Sequence, residues 1–327
     1  MNATAAPLRE AALVELGHAL RRLRYRFITA TPATHALVNA RPENQIARDL
    51  YDVLGWTRPF APDDEAVLPP AVCTLLAEAG MLVENEGGGF ARSAVRVSTI
   101  DQSDGDPLLF FHSAFPTLAA DAVFFGPDSY RFLRQLAATV PSLEIAARRC
   151  VDIGCGAGVG AVLLAKLLPD ATVYAVDINP AALTMTTVNA ALAGAANVIP
   201  QHSDLLSALD GSFDLIIANP PYLVDAHERR YRHGGGTLGG ELSLAIVDAA
   251  IARLAPGGSL LLYTASAIVR GTDALRDAAG ARLDAAGFGW QYDEIDPDVF
   301  SDELRQPAYA HVDRIAAVWL SAVKPRR

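Results

Sequence analysis

Asn219-Pro220-Pro221-Tyr222 concentrates more usable chemistry than any other tetrapeptide in this chain. It follows Leu215-Ile216-Ile217-Ala218, an apolar run of strand length, so it stands where a buried strand ends. Two prolines in succession stop the strand and fix the backbone, which sets the Asn219 side-chain oxygen and the Pro220 carbonyl close together as two acceptors. A planar –NH2 group has two in-plane donors. Holding both leaves the nitrogen lone pair aimed out of the plane, toward an incoming electrophilic carbon. Tyr222 offers a flat surface on which such a group can stack. The expected chemistry is alkylation of an amide or exocyclic amine nitrogen, with Asn219, Pro220 and Tyr222 as catalytic residues. A base of neutral pKa is not required before transfer, because the nitrogen's proton becomes acidic once the new bond has formed.

The electrophile needs a carrier. Val151-Asp152-Ile153-Gly154-Cys155-Gly156-Ala157-Gly158 reads as a strand, a tight loop and the start of a helix. Gly154, Gly156 and Gly158 let the backbone turn sharply and approach a ligand closely. A dinucleotide fold uses a similar loop, and Gly156-x-Gly158-x-x-Ala161 can be read as its fingerprint. The acid ahead of the loop, Asp152, suits a ligand carrying positive charge better than a pyrophosphate. S-adenosyl-L-methionine, with its ammonium and sulfonium, is that ligand. Asp177, 25 residues further on, closes the second strand and can accept both ribose hydroxyl protons, with Ile178 beside it. Asn179-Pro180 already supplies a helix cap, which frees Asp177 for the ligand. Asp204 follows the third strand, where an adenine amino group would be read, and Leu205 would sandwich the ring. The bland alternatives are a surface carboxylate at Asp204 and a ligand-free turn at the glycines. Asn219 would border cofactor and acceptor alike.

These residues need a parallel sheet to bring them together. From Val151 onward short apolar runs alternate with helical stretches, the pattern of βαβ units covered on both faces. Strands are expected at residues 150–153, 172–176, 198–201, 215–218, 259–264, near 290–295, and at 315–320. Helices are expected at about 158–168, 180–193, 241–254 and 272–287. Pro256-Gly257-Gly258 would turn the helix into the fifth strand, and Asp296 to Pro307 would be the helix-free loop of a final antiparallel hairpin.

Residues 1–118 read differently, as a helical and winged-helix-like unit ahead of the main domain at 119–327. An amphipathic stretch at 8–25 carries Leu13, Leu16, Leu20 and Leu23. Pro70 to Ala79 looks helical and leads into Gly80-Met81-Leu82-Val83, a turn over Glu84–Gly89 and Phe90–Val95, a helix followed by a two-stranded wing. Arg21-Arg22-Leu23-Arg24-Tyr25-Arg26 reads as a solvated helix face more readily than as an anion site, since residues 1–118 hold ten basic and fourteen acidic side chains. His227 to His233, followed by Gly234-Gly235-Gly236, could serve as a substrate lid or a plain connector.

Bulk properties narrow the classes. A formal net charge of -10 disfavours a protein that grips nucleic acid through its phosphates. The N-terminus lacks the basic and apolar regions of a signal peptide, and the longest apolar run, Ser259 to Val269, is too short for a bilayer. Cys73, Cys150 and Cys155 have neither zinc spacing nor an even number, so no metal is expected and a reducing cytoplasm is.

Asp152-x-Gly154-x-Gly156-x-Gly158, Asp177, Asp204 and Asn219-Pro220-Pro221-Tyr222 together resemble the amino methyltransferases of the class I fold. That group includes the release-factor glutamine methyltransferases, adenine-N6 DNA methyltransferases and ribosomal RNA guanine-N2 methyltransferases. Leu238-Gly239-Gly240-Glu241-Leu242 is similar to the Gly-Gly segment of the glutamine enzymes, and Ala122 to Tyr130 to the segment by which the group closes its cofactor pocket. The resemblance covers about residues 120–325. It implies a Rossmann-like α/β fold with a seven-stranded class I methyltransferase sheet, S-adenosyl-L-methionine as cofactor, and Phe125 and Tyr130 as its cover. It implies N-methylation of a protein glutamine or small-molecule amide first and of an RNA or DNA base second. Residues 1–118 are longer than the helical bundle that precedes the release-factor enzymes. A non-catalytic, cofactor-sensing DNA-binding module and a nicotinamide dehydrogenase are the competing classes.

Overall fold

The computed structural model describes residues 5–84, 88–102, 105–143, 145–224 and 232–326. Helix α1 (Ala5–Arg22) buries Leu13, Leu16 and Leu20, as the leucine spacing requires. Leu23 does not join them and is 48% exposed, because the helix stops at Arg22 and Arg24 takes a φ of 54°, turning the chain away. Helix α2 (Pro32–Asn39) starts at Thr31, whose hydroxyl accepts from the Thr34 amide at 3.1 Å, with Pro32 in the first turn. Short α3 (Leu50–Leu54) and α4 (Pro70–Glu78) follow.

Strands β1 (Leu82–Glu84) and β2 (Ala91–Ser93) pair antiparallel after α4, and residues 85–87 of the turn read between them lie outside the described residues. A second antiparallel pair, β3 (Val95–Ile100) with β4 (Leu108–Ser113), had no counterpart in the sequence reading. Its pattern is hidden by polar side chains that are nevertheless buried. Arg96 donates to the Gly55 carbonyl at 2.8 Å and lies 3.1 Å from His35 Nδ1, while Ser98 meets His112 Nε2 at 2.7 Å. Burial lowers both imidazoles, His35 to about 3, so they serve as neutral hydrogen-bonding groups.

The second half opens with α5 (Pro127–Thr139). It continues as β5 (Arg149–Ile153), α6 (Val159–Leu167), β6 (Thr172–Asp177), α7 (Pro180–Ala193), β7 (Val198–His202) and β8 (Phe213–Ala218). Then come α8 (Glu241–Arg253), β9 (Leu254–Val269), the two-residue β10 (Thr272–Asp273), α9 (Ala274–Ala285), β11 (Gly289–Asp296) and β12 (Arg314–Val323). The sheet runs β11-β12-β9-β8-β5-β6-β7, with β10 pairing to β9 off this path. Strands β7, β6, β5, β8 and β9 are parallel, whereas β12 is antiparallel to β9 and β11. This is the class I methyltransferase topology, a Rossmann-like sheet with one reversed strand. Two local expectations change. Pro256-Gly257-Gly258 is not a turn before β9 but an irregularity inside it, since Phe213 pairs with Leu254 and Leu215 with Ser259. The stretch from Asp296 to Pro307 is not helix-free: it holds a 3-10 turn at Ser301–Arg305, and another follows at Pro307–Tyr309.

One continuous apolar core joins the two halves. Leu13, Leu16, Val97 and Phe111 from the first belong to the same cluster as Val173, Val188, Leu192 and Leu215 from the second. Helix α1 approaches α7 closely, and a Cβ at Gly17 would lie 2.5 Å from Leu192 Cδ1. Fully buried Asn189 of α7 completes the joint. It accepts from the Phe111 amide at 2.8 Å, and donates to the Phe111 carbonyl at 3.0 Å and to the Ala157 carbonyl at 2.8 Å. A single side chain thus pairs with the edge of β4 and with the glycine loop after β5.

Candidate active site

Ligands of open parallel sheets gather outside the carboxyl ends of the strands. A cavity of about 600 Å³ opens there, within the range of small-molecule sites. Its floor is the loop after β5. Gly154 and Gly156 have φ of 70° and 54°, and a Cβ at either would meet no heavy atom within 4 Å, so both backbones border open space. They form a cradle that a side chain would fill. Gly158 is glycine for another reason: at φ 76° it caps α6, and a Cβ there would stand 2.8 Å from Thr186. It does not line the cavity.

Three carboxylates occupy successive strand ends. Asp152 is buried and accepts from the Ala161 amide at 2.8 Å. Burial pushes its carboxyl up to about 7, opposed by that N–H. Asp177 accepts from Gly156 N at 3.0 Å and Asn179 N at 2.8 Å, so it fixes the glycine loop while still facing the cavity. Asn179 caps α7 through the Ala181 amide at 3.0 Å, as its sequence position suggests. Asp204 is exposed on the cavity wall beside Ile178 and Leu205, and Leu205 takes a φ of 47°.

Asn219, Pro220, Pro221 and Tyr222 line the same cavity, delivered by β8 between β5 and β9. Among the described residues, none hydrogen-bonds the Asn219 side-chain amide. Tyr222 packs against Tyr263 at 6.4 Å between ring centroids and against Phe300 at 5.8 Å. Burial, and Asp128 facing it, hold its hydroxyl well above the ordinary tyrosine range.

Phe125 and Tyr130 are not brought to the cavity; Phe124 lines it. Phe125 stacks on His112 at 5.1 Å and on Phe110 at 5.9 Å, and Tyr130 donates to the Thr99 carbonyl at 3.3 Å and accepts from the Thr29 amide at 3.1 Å. Both aromatics fasten α5 to β3 and β4, and the alternation between Phe124 and Phe125 is decided by that packing.

Several walls had no signal that was used. Thr31, Pro32 and Ala33, at the start of α2, bring the first half to the cavity. Asp128 and Arg131 lie on the first turns of α5, inside the segment singled out for closing the pocket. Residues 298–303 form the facing wall, which the sequence reading treated only as a hairpin loop. Arg232 pairs with Glu303, and Tyr309 accepts from the Val224 amide at 2.8 Å, so this loop grips both flanks of the segment after the tetrapeptide. The lid proposed for His227 to His233 lies outside the described residues except for its last two. Among the described residues no cluster of metal-ligand type is present, and no helix is long and apolar enough to cross a membrane.

Residues 132–281 match the family model described as Methyltransferase small domain. The release factor glutamine methyltransferase of Deinococcus radiodurans is 34% identical over 165 residues, covering 47% of this chain and 55% of that protein. The enzyme of the same name from Moorella thermoacetica is 38% identical over 142 residues, covering 40% and 50%. The chain therefore spans about half the length of the curated relatives it matches. Among solved structures, the M. jannaschii tRNA m1G37 methyltransferase aligns with a TM-score of 0.46 at 16% identity, over 71% of this chain and 57% of that one. M. jannaschii TYW2 in complex with AdoMet aligns at 0.45 and 15%, over 69% and 85%. Residues 132–281 are thus similar to the methyltransferase small domain, and they lie within a sheet of class I methyltransferase topology.

Proposed function

We propose that this chain is an S-adenosylmethionine-dependent N-methyltransferase whose acceptor is a planar amide nitrogen, a protein glutamine first of all. The observation that carries the reading is the opening of Asn219-Pro220-Pro221-Tyr222 and of the Gly154–Gly156 cradle onto one cavity. The release factor glutamine methyltransferases among the matched relatives support glutamine as the acceptor.

Gly154, Gly156, Asp152, Asp177 and Asp204, with Ile178 and Leu205 on the wall, are the residues that would hold the cofactor, which supplies an electrophilic methyl group when bound. Everything else falls to the protein. An amide nitrogen is a poor nucleophile because its lone pair is delocalised into the carbonyl. Acceptance of both N–H bonds by Asn219 Oδ1 and the Pro220 carbonyl enriches the nitrogen and favours its pyramidal form. Tyr222 fixes the plane of the amide, so the remaining gain comes from orientation, which can contribute several kcal/mol. Exposed Asp298 and Asp302 on the facing wall suit a neutral or basic acceptor better than a polyanion.

The test is incubation with labelled S-adenosylmethionine and a bacterial release factor, followed by mass spectrometry of its glutamine peptides. Wild-type protein should label one glutamine. Asn219→Ala should lower the rate at least ~100-fold, the cost of removing one polar group aimed at a reacting centre, while cofactor affinity stays within about threefold. Normal labelling by that variant would overturn the assignment.

A further inference from the structure

Buried Asp128, in the first turn of α5, lines the cavity at a point where no cofactor or acceptor role has been given to it. Its carboxylate accepts from the Tyr263 hydroxyl at 2.7 Å and from Arg131 at 3.2 Å. Arg131 reaches onward to Asp296 at 3.0 Å, at the root of the loop that carries Phe300. Tyr222 packs between Tyr263 and Phe300, and its hydroxyl is raised first by burial and then by facing Asp128. Asp128 therefore holds the Tyr263 hydroxyl directly and, through Arg131, the root of the β11–β12 loop, the two sides between which the Tyr222 ring packs.

We propose that Asp128 is the positioning residue for the acceptor platform: with Arg131 and Asp296 it fixes the Tyr222 ring, and hence the face on which the planar nitrogen is presented. This rests on the reading of Tyr222 as the stacking surface. A tyrosine ring held by one face alone turns about its Cβ–Cγ axis and tilts. Fixing both neighbours of the ring, Tyr263 through its hydroxyl and Phe300 through the loop rooted at Asp296, removes that tilt, and misorientation of a reacting group by about 1 Å costs of the order of 100-fold in rate. The Arg131–Asp296 pair also couples the platform to the opposite wall, so a change in the loop carrying Phe300 reaches Tyr222 from both sides.

The experiment is a double-mutant cycle on full-length protein with labelled cofactor and release factor. Asp128→Asn should slow transfer about tenfold in kcat, with the affinity for S-adenosylhomocysteine within about twofold. In the Tyr222→Ala background the same change should slow it no further, because the ring it orients is gone. Arg131→Gln, at a partly exposed position, should reproduce a smaller loss if Asp128→Asn folds poorly. Equal losses in both backgrounds would mean a structural role and overturn the proposal, as would no loss in the first. Carbon-13 tyrosine NMR separates this from the acceptor reading. The Tyr222 signals, assigned through Tyr222→Phe, should shift and average in Asp128→Asn even if no acceptor is turned over, and unchanged signals would overturn it.

Discussion

Asp177 shows how one carboxylate can serve two purposes. Its oxygens accept from Gly156 N and Asn179 N, and the side chain also lines the cavity where the ribose of the proposed cofactor would lie. Asp177→Ala should therefore weaken S-adenosylhomocysteine binding by ~100-fold, from lost ligand contacts of about 1.5–3 kcal/mol and a loosened loop, as isothermal titration would read. Asp152 makes a pH prediction. Its carboxyl stands at about 7, so a cationic ligand binds best once the proton has left. Affinity should rise about tenfold per pH unit below 7 and level off above it, and Asp152→Asn should flatten the profile. The sign for folding is opposite. With the folded value raised above the unfolded one near 4, this group's contribution is complete below about pH 4 and is lost as pH climbs to 7. These candidate residues were legible because each stands at the carboxyl end of a strand, where side-chain type and position jointly suggest a ligand. Asp128 was not, because its importance comes from Tyr263, 135 residues away.

At the scale of elements, the βαβ half could be read almost strand by strand. Parallel strands buried on both faces are apolar runs without interruption, and Asn179-Pro180 and Gly194 mark both ends of α7 in the text. Strands β3 and β4 escaped for the converse reason: Arg96, Ser98 and His112 are polar yet enclosed, and only tertiary partners reveal why. The glycines of the cofactor loop looked alike in sequence but differ in cause. Gly158→Ala should lower stability by roughly 1–3 kcal/mol through its left-handed backbone and the approach to Thr186, measurable by urea denaturation. Gly156→Ala carries the same backbone strain but no clash, and its methyl would enter the cavity, so it should lose ligand affinity as well as stability.

At the scale of the molecule, the first half is tied to the cofactor loop through Asn189, and neither the arginine run nor the apolar spacing of α1 hinted at that. Replacing Asn189 by leucine leaves the Phe111 amide and the Phe111 and Ala157 carbonyls without this partner. The expected cost is about 3–5 kcal/mol, with weaker cofactor binding, although residue 189 does not line the cavity. A thermal scan should still show one transition, because the core is shared across the two halves.

Strand order has a bearing on how this protein is made. Within this sheet β12 is translated after the other strands yet lies between β9 and β11, so β11 has no place in the sheet until its successor has emerged from the ribosome. Glu303 and Tyr309, which clasp the chain beyond Tyr222, arrive in the interval between β11 and β12. A nascent chain can thus assemble its glycine cradle early, but it gains a closed acceptor wall only after β12 has emerged.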